Sequence, residues 1–261
     1  MIVYGRNPVA ELLRGRRAGS VQQVWASAGA LREPWLREAQ RRGLRVLRRP
    51  AEEIEHLCGS EAHQGVAARA GPFPYVPGDE LLGAAEPLLV VLDQVQDPHN
   101  LGSICRTAEC AGATGVVVPE RRAAAVTPAV CKASAGAVEY LAVARVRNIA
   151  DFLAQARGAG CWCYGASAAA ESAGAAREGA RAEAAAAPPA VRYDAPDYRG
   201  GVALVLGSER AGLRPRVARA CDQLISLPMQ GRVGSLGVSA AAAALLYEIL
   251  QHREEGVDKN P

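Results

Sequence analysis

Residues 224–247, which read LISLPMQGRVGSLGVSAAAAALLY, decide the fold. A short apolar run ends at Pro228, a loop with Gly231 and Gly234 follows, and an alanine-rich segment with helical spacing comes last. Proline cannot continue the hydrogen-bond ladder of a strand, and glycine lets the backbone approach a ligand closely. The stretch therefore predicts a strand, a site-forming loop and a closing helix from Ser239 to about Arg253.

The same plan occurs twice more upstream. Residues 202–213 (VALVLGSERAGL) and 90–115 (VVLDQVQDPHNLGSICRTAECAGATG) each contain an apolar strand-like run, a polar turn with glycine and a helix-like segment. From residue 88 onward, strand-like and helix-like runs alternate regularly, which favours a parallel α/β sheet flanked by helices. We expect the three loops to converge at one edge of that sheet.

The chain is expected to hold a small domain and a large one. Residues 1–70 alternate short helices and strands, and the first helix is predicted to start at Asn7-Pro8 as cap and first-turn proline. Residues 71–86, rich in proline and glycine, are interpreted as a linker. Residues 87–255 form the larger domain, in which 166–190 are mostly alanine and are interpreted as a surface insertion. In this domain, Thr127 and Asn148 are predicted helix caps.

Composition narrows the class of protein. With 261 residues, of which 49% are hydrophobic and 22% charged, the chain can bury a full core and is expected to be globular. No apolar run approaches the roughly 18 residues of a membrane span, and residues 1–14 lack signal-peptide features, so we expect a cytoplasmic protein without a membrane partner. The seven cysteines lack CxxC spacing, which favours neither a disulfide framework nor a zinc site, and no metal is expected.

Charge is distributed unevenly along the chain. Residues 1–50, called the basic segment below, carry eleven arginines and three glutamates, a net charge of +8 against +3 for the whole chain. The arginines are Arg6, Arg14, Arg16, Arg17, Arg32, Arg37, Arg41, Arg42, Arg45, Arg48 and Arg49. A basic region of this kind suits a polyanion, most simply RNA. The alternative is a solvated arginine-rich surface.

A dinucleotide-binding Rossmann domain is disfavoured, because no G-x-G-x-x-G follows a predicted strand. Three motifs instead resemble, in order and spacing, those of the SpoU (TrmH-like) class of SPOUT RNA 2′-O-ribose methyltransferases. They are NLGSICRTA at 100–108, LGSERAG at 206–212, and LPMQG at 227–231 continuing to SLGVS at 235–239. Tyr4-Gly5 with Pro8-Val9, and HQGV at 63–66, resemble the start and end of the N-terminal RNA-binding domain of bacterial members that modify 23S rRNA.

The resemblance implies a parallel sheet whose last part threads through a trefoil knot, binds S-adenosylmethionine and assembles as a homodimer. It implies 2′-O-methylation of RNA, and the favoured substrate is a guanosine in 23S rRNA. The alternatives are a tRNA 2′-O-methyltransferase, less favoured because such members commonly lack the N-terminal domain, and a non-catalytic RNA-binding or ribosome-assembly protein. The residues implied to contact the cofactor are Gly207, Leu227, Met229 and Leu236. Those implied to form the reaction site are Asn100, Arg106, Glu209 and Ser235.

The chemistry accounts for these residue types. Methyl transfer to a ribose 2′-hydroxyl is an in-line displacement, so the site must hold the oxygen about 3 Å from the methyl carbon and make the hydroxyl more nucleophilic. The family's arginine is often assigned as the base. A guanidinium is very hard to deprotonate, so we assign Arg106 to clamping a phosphate and stabilising developing alkoxide charge. Glu209 is expected to orient Arg106 through a bidentate pair.

Each of these residues also has a simpler interpretation. Taken singly, Arg106 is compatible with a surface cation, Glu209 with a helix-terminus carboxylate and Asn100 with an N-cap. One position departs from the family pattern, because the third motif normally has asparagine after Ser-Leu and this chain has Gly237. The missing amide leaves backbone contacts to the cofactor intact. Two outcomes are open: a weaker positioning of the 2′-hydroxyl or of Arg106, or compensation by the neighbouring Ser235 and the other motifs.

Overall fold

The computed structural model describes residues 1–167, 187–209 and 211–257. Within these ranges the strands are β1 (Ile2–Tyr4), β2 (Gln23–Ala26), β3 (Val46–Arg48), β4 (Val66–Arg69), β5 (Leu88–Asp93), β6 (Gly115–Pro119), β7 (Ala142–Val146), β8 (Cys161–Ser167), β9 (Ala190–Arg192), β10 (Gly201–Gly207) and β11 (Gln223–Ser226). The α-helices there are α1 (Arg6–Leu12), α2 (Pro34–Arg41), α3 (Ala51–Cys58), α4 (Pro98–Cys110), α5 (Pro128–Ala133), α6 (Ile149–Gly158), α7 (Pro215–Ala220) and α8 (Val238–Val257).

The N-terminal strands form a small mixed sheet in the order β1-β4-β2-β3. Strand β4 is antiparallel to both neighbours, whereas β2 and β3 are parallel. The predicted start of the first helix is wrong: α1 begins at Arg6, so Asn7 lies inside its first turn. The reason is Gly5, whose φ of 98° turns the chain into the helix one residue after β1 ends.

The larger sheet has seven strands in the order β7-β6-β5-β10-β8-β11-β9. Every neighbouring pair is parallel, which confirms the predicted parallel α/β sheet. All residues of β5 and β6 are buried, as expected of strands covered by helices on both faces. Strand β9 was not predicted, because its three residues follow the alanine-rich segment without an apolar pattern of their own.

Alternate residues of β5 face two separate cores. Leu88, Val90 and Leu92 belong to the core that also includes residues of α4, α5 and α8. Leu89 and Val91 belong to the second core, formed with α6 and α7. Burying one such side chain contributes roughly 1.5–3 kcal/mol, so the apolar run of β5 fixes the sheet between two helix layers.

Besides Asn7, three residues stand near the start of a helix as possible caps. Asn148 caps α6 as predicted, and its side-chain oxygen accepts a hydrogen bond from the Ala150 N–H at 2.9 Å. Thr127 stands at the start of α5, but its buried hydroxyl makes no hydrogen bond to any residue that the structure describes, so it is not a side-chain cap. Asn100 does not cap α4, because the Asp97 carboxylate accepts from the His99 N–H at 2.9 Å and holds that position.

The N-terminal region packs firmly against the larger sheet domain. Arg17 forms a buried ion pair with Glu139, and the Tyr140 hydroxyl donates to Glu11 at 2.6 Å. One core cluster includes apolar residues of α1 together with residues of α4 and α5. Within residues 71–86, Phe73 is buried and the Tyr75 hydroxyl accepts from the Val126 N–H at 2.8 Å. The proposed linker is therefore packed against the domain that follows it; the limits of the two domains stay a prediction.

Two further expectations concern the last third of the chain. The alanine-rich insertion predicted at 166–190 lies mostly outside the described residues, although its first two residues belong to β8 and its last to β9. The closing helix begins at Val238, one residue before the predicted start, and reaches Val257. Among the described residues, no helix is both long and apolar enough to cross a membrane.

Candidate active site at the carboxyl edge of the sheet

The three sequence motifs follow strands that run in the same direction. Strand β5 ends at Asp93 and leads to α4, which carries the first motif. The second motif covers the end of β10, and the third follows β11. Because these strands are parallel, all three loops leave the sheet at its carboxyl edge, where ligands of open α/β sheets bind.

The second motif forms a tight loop closed on itself. Ser208 donates its N–H to the Gly212 carbonyl at 3.1 Å, and Gly212 donates back to the Ser208 carbonyl at 2.9 Å. A Cβ atom added to Gly207 would lie 2.2 Å from the Gly212 carbonyl carbon, so only glycine fits at this strand end. Gly212 has φ +65°, which also favours glycine.

Asp93 anchors this loop, and the sequence interpretation missed it. Its side chain is fully buried, and it accepts from the Arg214 N–H at 2.9 Å and from the Arg214 Nε atom at 2.8 Å. Asp93 also pairs with Gly207 across β5 and β10. A buried carboxylate needs such partners. An acidic residue at the end of an apolar strand was therefore the sequence feature from which this anchor could have been predicted.

Asn100 joins the first motif to the second. Its Nδ2 atom donates to Asp97 Oδ2 at 3.3 Å and also to Glu209 Oε1. The expected ion pair between Glu209 and Arg106 is not formed among the described residues. Asn100 and Arg106 are six residues apart on α4, which at about 100° per residue places them on different sides of the helix. Glu209 therefore meets the amide and not the guanidinium.

Arg106 is exposed and makes no ion pair with any residue in the described ranges. Its helix is held closely against α5, because a Cβ added to Gly102, one turn earlier, would lie 2.4 Å from the Ala133 Cβ atom. The other side of α4 packs against α8, which directly follows the third motif. The backbone that carries Arg106 is thus fixed, while its guanidinium group is exposed.

The third motif is an open loop. Leu227 and Met229 are half-buried, Ser235 is exposed and Leu236 is 48% exposed. Within the part of the chain that the structure describes, the backbone N–H groups of residues 229–236 have no hydrogen-bond partner. A Cβ added to Gly237 would meet no atom within 4 Å. Free backbone donors and acceptors beside half-buried apolar side chains fit S-adenosylmethionine, whose adenine and ribose present polar edges and apolar faces.

All seven thiols are free, and one of them, Cys105, is a buried residue of the first motif. Burial raises the pKa of Cys105 to about 12, and burial, together with the nearby Glu139 charge, raises that of Cys131 to about 12. Among the described residues, no group of three or more His, Cys, Asp or Glu side chains is placed to hold a metal ion.

A parallel α/β sheet with three loops at its carboxyl edge, preceded by a small mixed sheet, defines the class of α/β proteins that bind a ligand at the edge of a sheet. The comparisons with known proteins identify the family within that class. The family described as "SpoU rRNA Methylase family" matches residues 87–247, and that described as "RNA 2'-O ribose methyltransferase substrate binding" matches residues 2–76. The chain belongs to the SpoU family of RNA 2′-O-ribose methyltransferases, whose methyl donor is S-adenosylmethionine.

Similar proteins match along nearly the whole chain. A Bacillus subtilis protein assigned to the TrmH family of tRNA/rRNA methyltransferases (YacO) is 36% identical over 96% of this chain and 95% of its own. The 23S rRNA (guanosine-2′-O-)-methyltransferase RlmB of Xanthomonas axonopodis pv. citri is also 36% identical, over 96% of each chain. The AdoMet-bound rRNA methyltransferase of Sinorhizobium meliloti has a similar structure, with a TM-score of 0.75 and 26% identity, covering 96% of this chain and 87% of that one.

Proposed function

We propose that this protein transfers a methyl group from S-adenosylmethionine to the 2′-hydroxyl of a guanosine in 23S rRNA. The observation that carries the proposal is the arrangement of the three motifs at one sheet edge, with Asn100 of the first bonded to Glu209 of the second. The match to RlmB supports the rRNA substrate, since it includes the N-terminal region as well as the motifs. A tRNA substrate is the alternative, because the relative from Bacillus subtilis carries both names.

The cofactor is assigned to the second and third motifs. S-adenosylmethionine, when bound, supplies an electrophilic methyl group on its sulfonium. Gly207, Leu227, Met229 and Leu236 are proposed to hold it, largely through the backbone. The unpaired N–H groups of residues 229–236 support this assignment, as does the closed loop at Gly207. Such a loop can orient the ligand for in-line attack without a side chain for each contact.

The reacting hydroxyl is assigned to the first motif and Ser235. Arg106 clamps a phosphate of the RNA and stabilises the charge that develops on the 2′-oxygen, because a guanidinium keeps its proton. The 2′-hydroxyl proton passes to solvent water at this open edge as the new carbon–oxygen bond replaces the carbon–sulfur bond of the methyl donor. Ser235, exposed in the third motif, donates to or accepts from the ribose. Asn100 and Glu209 position the two loops relative to each other, a role supported by their mutual hydrogen bond.

A homodimer in the cytoplasm completes the proposal. Large apolar side chains are exposed at the third motif and on the helix after it: Val233 is 75% exposed, Leu236 48% and Tyr247 52%. Because these residues lie close together in sequence on one loop and one helix, they are proposed to pack against a second copy of the chain.

The competing hypothesis is a non-catalytic RNA-binding protein, and Gly237 is the observation that favours it. Calorimetry with S-adenosylmethionine, followed by methyl transfer to 23S rRNA transcripts and to tRNA, separates the hypotheses. Cofactor binding and a new 2′-O-methylguanosine in 23S rRNA support the proposal. RNA binding without cofactor binding identifies a binding protein, and methylation confined to tRNA identifies the alternative substrate.

A further inference from the structure

A cavity lies in the basic segment, away from the motif loops. It has a volume of about 710 Å³ and opens between the end of α1, the loop after it and α2. Leu13 and Trp35 contribute an apolar floor, and both are only partly buried although they pack against the core. The volume falls within the roughly 300–1,000 Å³ of sites for small ligands.

The rim of this cavity is positively charged. It carries Arg14, Arg41 and Arg42, whose side chains are 55%, 75% and 65% exposed. Arg41 and Arg42 share one carboxylate, that of Glu38, at 2.8 and 3.1 Å. A guanidinium has five N–H donors, and each of these contacts uses one nitrogen. The rim therefore retains donors and excess positive charge for a phosphate.

We propose that this cavity binds one unstacked nucleotide of the RNA, with its base against Trp35 and its phosphate at Arg41 and Arg42. The inference rests on the proposed RNA substrate. An aromatic face can stack on any base, and arginines beside it neutralise the backbone, which is how proteins hold single-stranded nucleic acid. None of the elements that line the cavity carries a residue of the three motifs at 100–108, 206–212 and 227–239, so this nucleotide is distinct from the one that is methylated.

Binding of a labelled ten-nucleotide single-stranded RNA to the full chain, followed by fluorescence anisotropy, tests the inference. Base stacking on an aromatic residue predicts that Trp35→Leu weakens binding about fivefold or more, while Trp35→Phe, which keeps an aromatic face, stays within about twofold. Trp162→Leu is the matched control, because Trp162 is 57% exposed and lies on β8, outside the cavity. The inference is overturned if Trp35→Leu binds as tightly as wild type or if Trp162→Leu has the same effect.

A charge test remains informative if Trp35→Leu does not fold. Arg41→Gln with Arg42→Gln should weaken binding several-fold more than Arg32→Gln with Arg37→Gln, because the second pair is exposed on the same region but does not line the cavity. Equal losses overturn the inference. Methyl transfer is measured on the wild-type protein alone. If RNA binds through Trp35 but no methylation is found, the proposed function is wrong and the nucleotide site is still supported.

Discussion

Arg17 and Glu139 form a buried ion pair between the basic segment and the larger sheet domain. The Arg17 Nε atom donates to Glu139 Oε2 at 2.8 Å, and the two side chains are 2% and 0% exposed. Burial lowers the pKa of Arg17, but the hydrogen bond and charge of Glu139 outweigh it, so the net pKa is raised. One of the eleven arginines in the basic segment is therefore structural, and it holds the small domain against the residues that follow α5.

Removing only one member of this ion pair should strongly destabilise the folded protein. Arg17→Met leaves a buried carboxylate without a partner and should lower the free energy of unfolding, measured by urea denaturation, by about 3–5 kcal/mol. The double variant Arg17→Met with Glu139→Leu removes both charges and should recover most of that loss. A single variant as stable as wild type contradicts a structural role for the pair.

An exposed ion pair provides the control. Arg216 and Asp151 lie 2.8 Å apart with side chains that are 68% and 61% exposed. Exposed pairs contribute about 0–1 kcal/mol, so Arg216→Met should change the free energy of unfolding by no more than that.

Arg106→Ala should abolish methyl transfer and leave the affinity for S-adenosylmethionine nearly unchanged, because the arginine serves the RNA and the other two motifs hold the cofactor. Calorimetry and single-turnover methylation measure the two quantities. Arg147→Ala, another exposed arginine, is the control. A variant that retains more than about a tenth of wild-type turnover, which corresponds to less than roughly 1.4 kcal/mol of transition-state stabilisation, excludes this role.

Gly237→Asn restores the residue that the family carries and should alter turnover by less than about tenfold. We expect compensation, because Ser235 and the Asn100–Glu209 contact are in place. An added Cβ meets no atom within 4 Å, so the substitution should not disturb the loop. A tenfold or larger rise in the methylation rate would show that the missing amide is a true defect.

Alkylation of the native protein should distinguish the thiols. Cys110 is exposed, whereas Cys105 and Cys131 are buried with pKa values raised to about 12. The thiolate is the reacting form, and burial keeps the Cys105 and Cys131 thiols protonated at pH 8. Mass spectrometry after iodoacetamide should find Cys110 labelled first. Labelling of Cys105 at the same rate would contradict the packing between α4 and α5.

The parallel sheet could be predicted from sequence because its strands are buried on both faces and read as apolar runs. Residues 88–92 and 202–206 are examples, and each is bounded by a polar turn. Strand β9 could not be predicted, because Ala190–Arg192 gains its partners only from β11, which is distant in sequence.

The candidate site was predictable in its loops but not in its contacts. Glycine spacing located the loops, because glycine is required where backbones approach, as Gly207 approaches Gly212. Which side chain meets Glu209 depends on the rotation of α4, and charge complementarity favoured Arg106 where the structure has Asn100. Likewise, the charge count places Arg17 with the basic surface, although it forms a buried ion pair with Glu139, which is 122 positions away in sequence.

The last prediction concerns the role of the basic segment in binding RNA. Arg41, Arg42, Arg48 and Arg49 are all exposed, and Arg48 makes no ion pair among the described residues. Replacing the four with alanine should weaken rRNA binding and flatten its salt dependence, because fewer counterions are released from the phosphates. Arg41 and Arg42 pair with Glu38, and Arg49 pairs with Glu53. These exposed ion pairs are weak in water, so they do not prevent the arginines from binding phosphates.

The size of this effect follows from how many of the four arginines face the RNA. We expect the log–log slope of affinity against salt to flatten by about one or two units, since each phosphate contact contributes roughly 0.9. The affinity for S-adenosylmethionine should not change, because the proposed cofactor loops lie in the other domain, and calorimetry is the control. If the quadruple variant binds rRNA with unchanged affinity and slope, the basic segment is only a solvated surface. Substrate choice must then lie in the sheet domain and its proposed dimer partner.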